Sequence, residues 1–389
     1  VQDHGVIFSI FLIFSGAAVF ATLALFARQA MIVAYILIGM VLGPAGFGLV
    51  HDQGWIEDVS SIGIMFLLYL LGLNMEPQQL WKMLGEALGV TLISSLIFCA
   101  LGSTVALLWG LPWHEALLVG ACMMFSSTII GLKLLPTTTL HHQHTGQMMI
   151  SVLLVQDLIA IVVLLVVHGY GSGQDPLTGI VQQLVALPAL VAVALLAEKF
   201  VIEPLIRRFD QIHEYIFLLV IGWCLALAEC AALFGLSHEI GAFIAGIALA
   251  SCPVSAFIAD SLRPLRDFFL VLFFFSFGAA FEVVMIEQAL FAALVLTALL
   301  LAAKPYTFRW LFRRAGERSR QSLEVGVRLG QISEFSLLVA ILALHSGLLS
   351  ERGAYLVQLT TLFSFIVSSY LIVMRYPTPI AVRDSLRRD

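Results

Sequence analysis

The sequence predicts an all-α polytopic membrane protein. It should have 13 transmembrane helices in two inverted six-helix repeats joined by a linker helix, with crossed broken helices at the midplane. Three observations carry this reading. The 389 residues are 60% hydrophobic and 12% charged, with a mean hydropathy of +1.01, whereas a soluble domain needs about 25% charged residues. Thirteen apolar stretches are long enough, at roughly 20 residues each, to cross a bilayer. Lys and Arg fall almost wholly on one side of that count.

In chain order, the first stretch, 5–26, opens on Gly5-Val6-Ile7 without a basic n-region. It runs into a second stretch without a small-residue cleavage site, so it reads as a retained helix and not a signal peptide. Stretches 30–49 and 55–73 complete a first group, and 84–108, 113–135 and 148–168 form a second. A lone stretch at 181–201 is the linker. Then 214–234, 238–258 and 265–285, followed by 289–312, 323–347 and 354–375, repeat the two groups. The loops between them are short.

The charges test the count. With odd-numbered loops and the C-terminal tail on one side, that side receives eighteen of the twenty Lys and Arg residues. Only Arg352 lies opposite, and Lys304 falls inside a span. The positive-inside rule then puts the N-terminus outside and the C-terminus in the cytoplasm. The expected residence is a bacterial inner membrane.

Self-comparison supplies the repeat. At an offset of 207 residues Gly39 and Leu42 fall on Gly246 and Leu249, and Ser126-Ser127 on Ser333-Glu334. At 206, Gly72 falls on Gly278 and Glu76 on Glu282. Seven crossings separate the paired helices, an odd number, so the second copy is upside down. Inverted repeats are an architecture of secondary transporters, with the site at the midplane.

Composition also excludes functions. A net charge of −5 with no basic domain argues against a nucleic-acid partner. Cys99, Cys122, Cys224, Cys230 and Cys252 all lie in apolar runs without metal spacing and read as unpaired thiols. There is no HExxH, GxSxG or P-loop, so the chain is not expected to be an enzyme. No cofactor is expected in this chain.

Buried charges mark the chemistry, because an ionised group in hydrocarbon costs on the order of 3 kcal/mol even on lenient scales. Asp157 lies mid-span beside Gln156, without a basic residue on its helix, and reads as a cation or proton site. Glu334 follows Gly330-Gln331-Ile332-Ser333, a polar cluster that suggests an interrupted helix; Glu334 either neutralises the facing half-helix N-terminus or ligates the ion directly. Its repeat mate, Ser126-Ser127-Thr128, supplies hard oxygens suited to an alkali cation, although such hydroxyls often bond back to their own helix. Lys304 either snorkels to the cytoplasmic interface or pairs with a core carboxylate, for which Asp157 is the expected partner. His141-His142-Gln143-His144 has no acidic or Cys ligand beside it and reads as a solvated loop. Glu229, Glu282 and the His238-Glu239 pair read as interfacial.

With these residues the sequence resembles the Kef type of potassium/proton antiporters, in the second monovalent cation:proton antiporter family. The matching segments are Gly43-Pro44-Ala45-Gly46-Phe47-Gly48-Leu49-Val50, Leu70-Leu71-Gly72-Leu73-Asn74-Met75, Ser126-Ser127-Thr128, Gln156-Asp157, Gly241-Ala242-Phe243-Ile244-Ala245-Gly246 and Leu329-Gly330-Gln331-Ile332-Ser333-Glu334-Phe335. The resemblance implies a homodimer in the lipid bilayer and exchange of potassium for a proton by an elevator movement. It implies a transmembrane domain over 1–375, with a dimerisation part at 5–73 and 214–285 and a mobile core at 84–168 and 289–375. Asp157 would carry the ion and proton, Gln156 would replace a second acid, Lys304 would be the core lysine, and Ser127 and Glu334 would sit at the breaks. Phe275-Ser276-Phe277-Gly278 departs from the family's Gly-x-Gly-Met. Kef-type proteins usually continue into a cytoplasmic nucleotide-binding regulatory domain; the basic tail, 376–389, is then either a linker start or a plain anchor. A sodium/proton antiporter, a gated potassium efflux channel and an organic-anion symporter are the alternatives. The last needs a basic midplane pocket, for which only Lys304 is available.

Overall fold

The computed structural model describes residues 6–44, 46–50, 53–73, 77–134, 144–171, 176–209, 211–252, 254–281 and 283–378. Regular structure among them is helical almost throughout. Among the described residues, seven helices are long and apolar enough to cross a membrane by themselves: those containing Val6–Phe26, Ala87–Leu108, Thr145–Tyr170, Val185–Arg208, His213–Leu233, Met285–Arg314 and Glu351–Arg375. All thirteen apolar stretches hold helix, but two are broken. The stretch 113–135 divides into Trp113–Met123 and Thr128–Lys133, and 323–347 into Ser319–Arg328 and Glu334–His345.

Three boundaries are corrected. The helix expected over 238–258 runs His238–Ala250, and the next begins at Ser255, well before the expected 265. Pro253 follows Cys252, and a proline disfavours helix at the residue before it. The early start of the next helix was masked by its polar first half, where Arg263 Nη2 lies 3.0 Å from Asp260 Oδ1. Likewise the stretch 30–49 is helical only over Met31–Leu42 and stops ahead of Gly43-Pro44.

The chain divides into two compact units. The first comprises Val1–Ser15, Ile38–Trp81 and His168–Ala280. Its core is the crossing of Gln53–Leu73 with His238–Ala250 and Ser255–Ala279. Glycines set how close these helices come. A methyl group on Gly39 would fall 2.2 Å from Phe275 O and 3.0 Å from the Gly278 Cα. One on Gly246 would fall 2.1 Å from Tyr69 O and 3.0 Å from the Gly72 Cα. Backbone therefore packs directly on backbone at two places, and the glycines of one contact occupy the positions aligned with those of the other.

The second unit comprises Gly16–Leu37, Lys82–Val167 and Phe281–Asp389. Its long helices are Pro77–Leu108, His144–Gly171, Val283–Arg314 and Glu351–Arg375, and it contains both broken stretches. Tight ends punctuate it. Gly110 and Gly347 adopt φ of 92° and 68°, which a side chain would resist. That lets Leu111 N and Leu348 N reach back to Ala106 O and Ala343 O at 3.1 and 2.9 Å, satisfying helix-end carbonyls. Ser350 caps Glu351–Arg375 through Gly353 N at 3.3 Å, and Glu115 accepts from Ser350 N at 3.1 Å, tying that helix to Trp113–Met123.

Candidate functional site

The two breaks meet inside the second unit. Helix Trp113–Met123 gives way at Met124 to non-helical backbone at Phe125-Ser126-Ser127, and helix Ser319–Arg328 gives way at Leu329 to Gly330-Gln331-Ile332-Ser333. Each break exposes backbone groups that a continuous helix would have paired, and buried groups of that kind must find partners. They find one another. Ser126 Oγ donates to Leu329 O at 2.9 Å, and Gln331 Nε2 donates to Ser127 O at 3.3 Å. The side chain of Ser336 reaches Cys122 O. Glu351–Arg375 braces the second break, with Ser364 Oγ accepting from Ile332 N at 3.0 Å and Ser368 Oγ donating to Gln331 Oε1 at 2.9 Å.

The C-terminal ends of the half-helices concentrate carbonyl oxygens, equivalent to about half a negative charge each. Donors converge there. Lys304 Nζ donates to Phe125 O at 2.8 Å, to Gln331 O at 3.0 Å and to Ser126 Oγ at 3.2 Å. The Phe98 ring lies 5.4 Å from the ammonium. Gln156 spans the first break, its Nε2 donating to Met124 O at 3.1 Å and its Oε1 accepting from Ser126 N at 3.0 Å. Lys304 itself is held close by Pro305, whose neighbour Gly326 would place a methyl 2.7 Å from the Pro305 Cα. Helix Ser319–Arg328 can thus lie directly against the turn that carries the lysine.

Carboxylates occupy the N-terminal ends. Ser127 Oγ caps Thr128–Lys133 through Ile130 N at 3.1 Å, and Ser333 Oγ caps Glu334–His345 through Phe335 N at 3.2 Å. Glu334 is the first residue of its half-helix and is buried. Asp157 is 1% exposed and meets the start of the other half-helix, with Thr128 Oγ1 at 3.3 Å from Oδ2 and 3.5 Å from Oδ1. The Asp157 and Glu334 carboxylates are near enough to interact electrostatically. A carboxylate offers about four lone-pair sites, and the Thr128 hydroxyl uses few of them.

The structure therefore gathers Ser126, Ser127, Thr128, Gln156, Asp157, Lys304, Ser333 and Glu334 around one crossover. The expected Lys304–Asp157 ion pair is corrected: the ammonium is buried, not snorkelled, but its partners are the carbonyls of Phe125 and Gln331. Carbonyl oxygens of the two breaks provide the negative partial charge that a carboxylate was expected to provide. The hydroxyls of Ser126 and Ser127 are engaged in holding the crossover, which leaves Thr128 as the hydroxyl on Asp157.

One residue escaped the reading of the sequence. Arg328 counted there only as a cytoplasmic-side charge, yet it is 1% exposed. Its guanidinium donates to Leu134 O at 3.1 Å, Pro377 O at 2.9 Å and Glu324 Oε1 at 3.0 Å, and faces the Tyr376 ring. It clasps the end of the first broken stretch and the break of the second to the exit of Glu351–Arg375. The signal available was Glu324 four residues before it, an ion-pair spacing on a helix. Glu229 and His238 are exposed and lie 3.6 Å from each other. Glu282, the loop residues His141-His142-Gln143 and the tail beyond Thr378 lie outside the described residues, as do the side chain of His144 and most of the tail assigned to 376–389. Among the described residues no cluster of His, Cys, Asp and Glu could hold a metal ion.

A family model described as "Sodium/hydrogen exchanger, transmembrane" matches residues 10–374. K(+) efflux antiporter 4 of Arabidopsis thaliana is 26% identical over 368 residues, covering 93% of this chain and 62% of its own. The glutathione-regulated potassium-efflux system protein KefC of Enterobacter sp. (strain 638) is 28% identical over 354 residues, covering 88% of this chain and 56% of its own. The chain thus spans less than two thirds of the length of these relatives. The solved structure of the sodium proton antiporter MjNhaP1 from Methanocaldococcus jannaschii at pH 8 superposes with a TM-score of 0.73 at 17% identity. That match covers 94% of this chain and 96% of the other, and shows a shared fold.

Proposed function

Because the chain belongs to the sodium/hydrogen exchanger family, we propose that it exchanges a monovalent cation, potassium, for a proton at Asp157. The family consists of transporters and not enzymes. The observation that carries the proposal is the contrast between the two buried charges. Lys304 is fully engaged by fixed oxygens, whereas among the described residues Asp157 holds only the Thr128 hydroxyl. Asp157 is the buried group whose occupant can change. One carboxylate cannot carry a cation and a proton together, so the two compete, and alternate exposure of the site to the two sides gives exchange. Since Lys304 is not the carboxylate's partner, loading Asp157 releases no second charge. One positive charge in each direction makes the exchange electroneutral.

Potassium is favoured by the potassium-efflux relatives and not by the ligands, since Asp157 and Thr128 would also suit sodium. Thirteen crossings in two inverted repeats are supported by the matched pairs Gly39–Gly278 and Gly246–Gly72, and by the matched breaks. We further assign the chain to a homodimer in a bacterial inner membrane, N-terminus outside, moving its ion by an elevator displacement of the core.

The test uses the purified chain in proteoliposomes with a pH-sensitive dye inside. An imposed potassium gradient should drive protons the opposite way, with rates unaffected by a clamped membrane voltage. Asp157→Asn should abolish the coupled signal and leave the protein's gel-filtration profile unchanged. Coupled flux surviving in that variant would end the proposal, and uncoupled potassium flux would establish a channel instead. Sodium outcompeting potassium at equal concentration would overturn the selectivity.

A further inference from the structure

The helix Val283–Arg314 has 32 residues, about 48 Å at 1.5 Å per residue. A bilayer's hydrocarbon core is about 30 Å thick. Several turns must therefore project into the headgroup layer. The C-terminal turns are built for that layer: Tyr306, Arg309, Trp310, Arg313 and Arg314 recur at three- and four-residue spacing on one face and border an open cleft of about 320 Å³. Tyr306 and Trp310 are exposed, as amphipathic rings are at a membrane–water interface.

The charge in this cleft is unbalanced. Among the described residues, no carboxylate is in ion-pair contact with Arg309, Arg313 or Arg314. Arg309 spends its Nε on Ser319 Oγ at 3.0 Å, which fixes the side chain and leaves its other four donors for another partner. The Arg314 guanidinium lies 4.5 Å from the centre of the Trp310 ring, a stacking that orders the side chain without neutralising it. Three guanidinium groups thus share one concave face that is apolar toward the bilayer and cationic at its rim. Their planar fork of donors matches phosphate oxygens in a two-pronged bond.

We propose that this cleft binds the phosphate of an anionic phospholipid headgroup, with the acyl chains lying along the apolar length of the same helix. Basic pockets of this kind between or beside membrane helices recognise anionic lipids, and each arginine near the surface contributes about a fivefold gain in affinity. A free anion would use the same guanidinium groups but would gain nothing from Tyr306, Trp310 and the apolar helix below them. The site also sits on the helix that carries Lys304, so its occupant would steady the element on which the crossover's ammonium depends.

The experiment titrates the purified full chain in detergent with phosphatidylglycerol, phosphatidylcholine or inorganic phosphate, and reads both thermal midpoint and bound lipid by native mass spectrometry. Phosphatidylglycerol should raise the midpoint and remain bound, and the other two should not. Arg313→Gln/Arg314→Gln should weaken phosphatidylglycerol binding about 25-fold, and the exposed single change Arg313→Gln about fivefold. Arg207→Gln/Arg208→Gln, a basic pair on another helix, should change it less than about twofold. Equal stabilisation by phosphatidylcholine or inorganic phosphate would overturn the proposal. So would unchanged binding in Arg313→Gln, or an equal loss in the Arg207/Arg208 variant.

Discussion

Replacing Lys304 by Met tests the account of the crossover most directly, because it keeps the length and removes the charge and all three donated bonds. The ammonium sits 2.8 and 3.0 Å from the carbonyls of Phe125 and Gln331, and 3.2 Å from Ser126 Oγ. Each buried carbonyl left without a donor costs about 1–3 kcal/mol, so two cost about 2–6 kcal/mol. Removing an ammonium from a dry core returns part of that as recovered desolvation. The half-helix ends keep their negative partial charges, so a net loss of about 2–4 kcal/mol is expected. For a unit of this size that is a fall in thermal midpoint of at least about 4 °C, read by fluorescence-detected size exclusion after heating. Lys304→Gln, which still donates, should lose about half as much. The same reasoning separates the observed carbonyl clamp from an ion pair with Asp157. If the two charges are independent, the midpoint shifts of Lys304→Met and Asp157→Asn should add to within about 2 °C in the double variant. A Lys304→Met protein as stable as the parent would refute the clamp, and a double variant no less stable than either single variant would restore the ion pair.

Gln156→Leu strands Met124 O and Ser126 N, so it should destabilise by about 2–4 kcal/mol in the same heating assay and reduce exchange without touching the carboxylate. Gly246→Ala forces a methyl to within 2.1 Å of Tyr69 O and should cost about 1–3 kcal/mol or prevent folding, while Gly89→Ala, which meets nothing within 4 Å, should be neutral or gain up to about 1 kcal/mol. Arg328→Leu removes the donor of Leu134 O and Pro377 O and should cost about 2–4 kcal/mol. Limited proteolysis should then cut near Tyr376 in Arg328→Leu at protease levels that spare the parent.

The sequence made some of this site legible and hid the rest for a definable reason. Asp157 stands out because a lone acid in a long apolar run has no local partner, and that contrast survives any error in helix boundaries. The breaks at Phe125-Ser126-Ser127 and Leu329–Ser333 stand out because polar residues and glycine cluster where hydrocarbon should be. The partners of Lys304 and Arg328 were not legible. Each binds backbone carbonyls, and a carbonyl has no letter in the sequence. A reading that pairs charged side chains only with charged side chains sends Lys304 to Asp157 and stops at Glu324 for Arg328. The helix boundary at Ala250 was within reach, because Pro253 marks it, but the continuing run of apolar residues outweighed the proline in the count. Glycine positions were visible only as repeat matches; their packing of backbone against backbone appears once the helices cross.

The clamp on Lys304 also bears on why exchange would be coupled. Assign each half-helix terminus about half a charge, positive at the N-terminal ends and negative at the C-terminal ends. The two C-terminal ends then sum to about −1, and Lys304 cancels them. The two N-terminal ends sum to about +1, and Glu334 cancels them. Asp157 is left over as a charge of −1 with no fixed complement among the described residues. A core carrying either a potassium ion or a proton on Asp157 is close to neutral and can move through hydrocarbon, whereas an empty core would take a bare carboxylate with it at a cost of several kcal/mol. Under the exchange proposed here, the penalty for moving empty is what ties one ion's passage to the other's. Had Lys304 been the partner of Asp157, the two C-terminal ends would have kept their charge of about −1 uncancelled, so the empty core would have carried the same net charge, placed on the crossover and not on the exchange site.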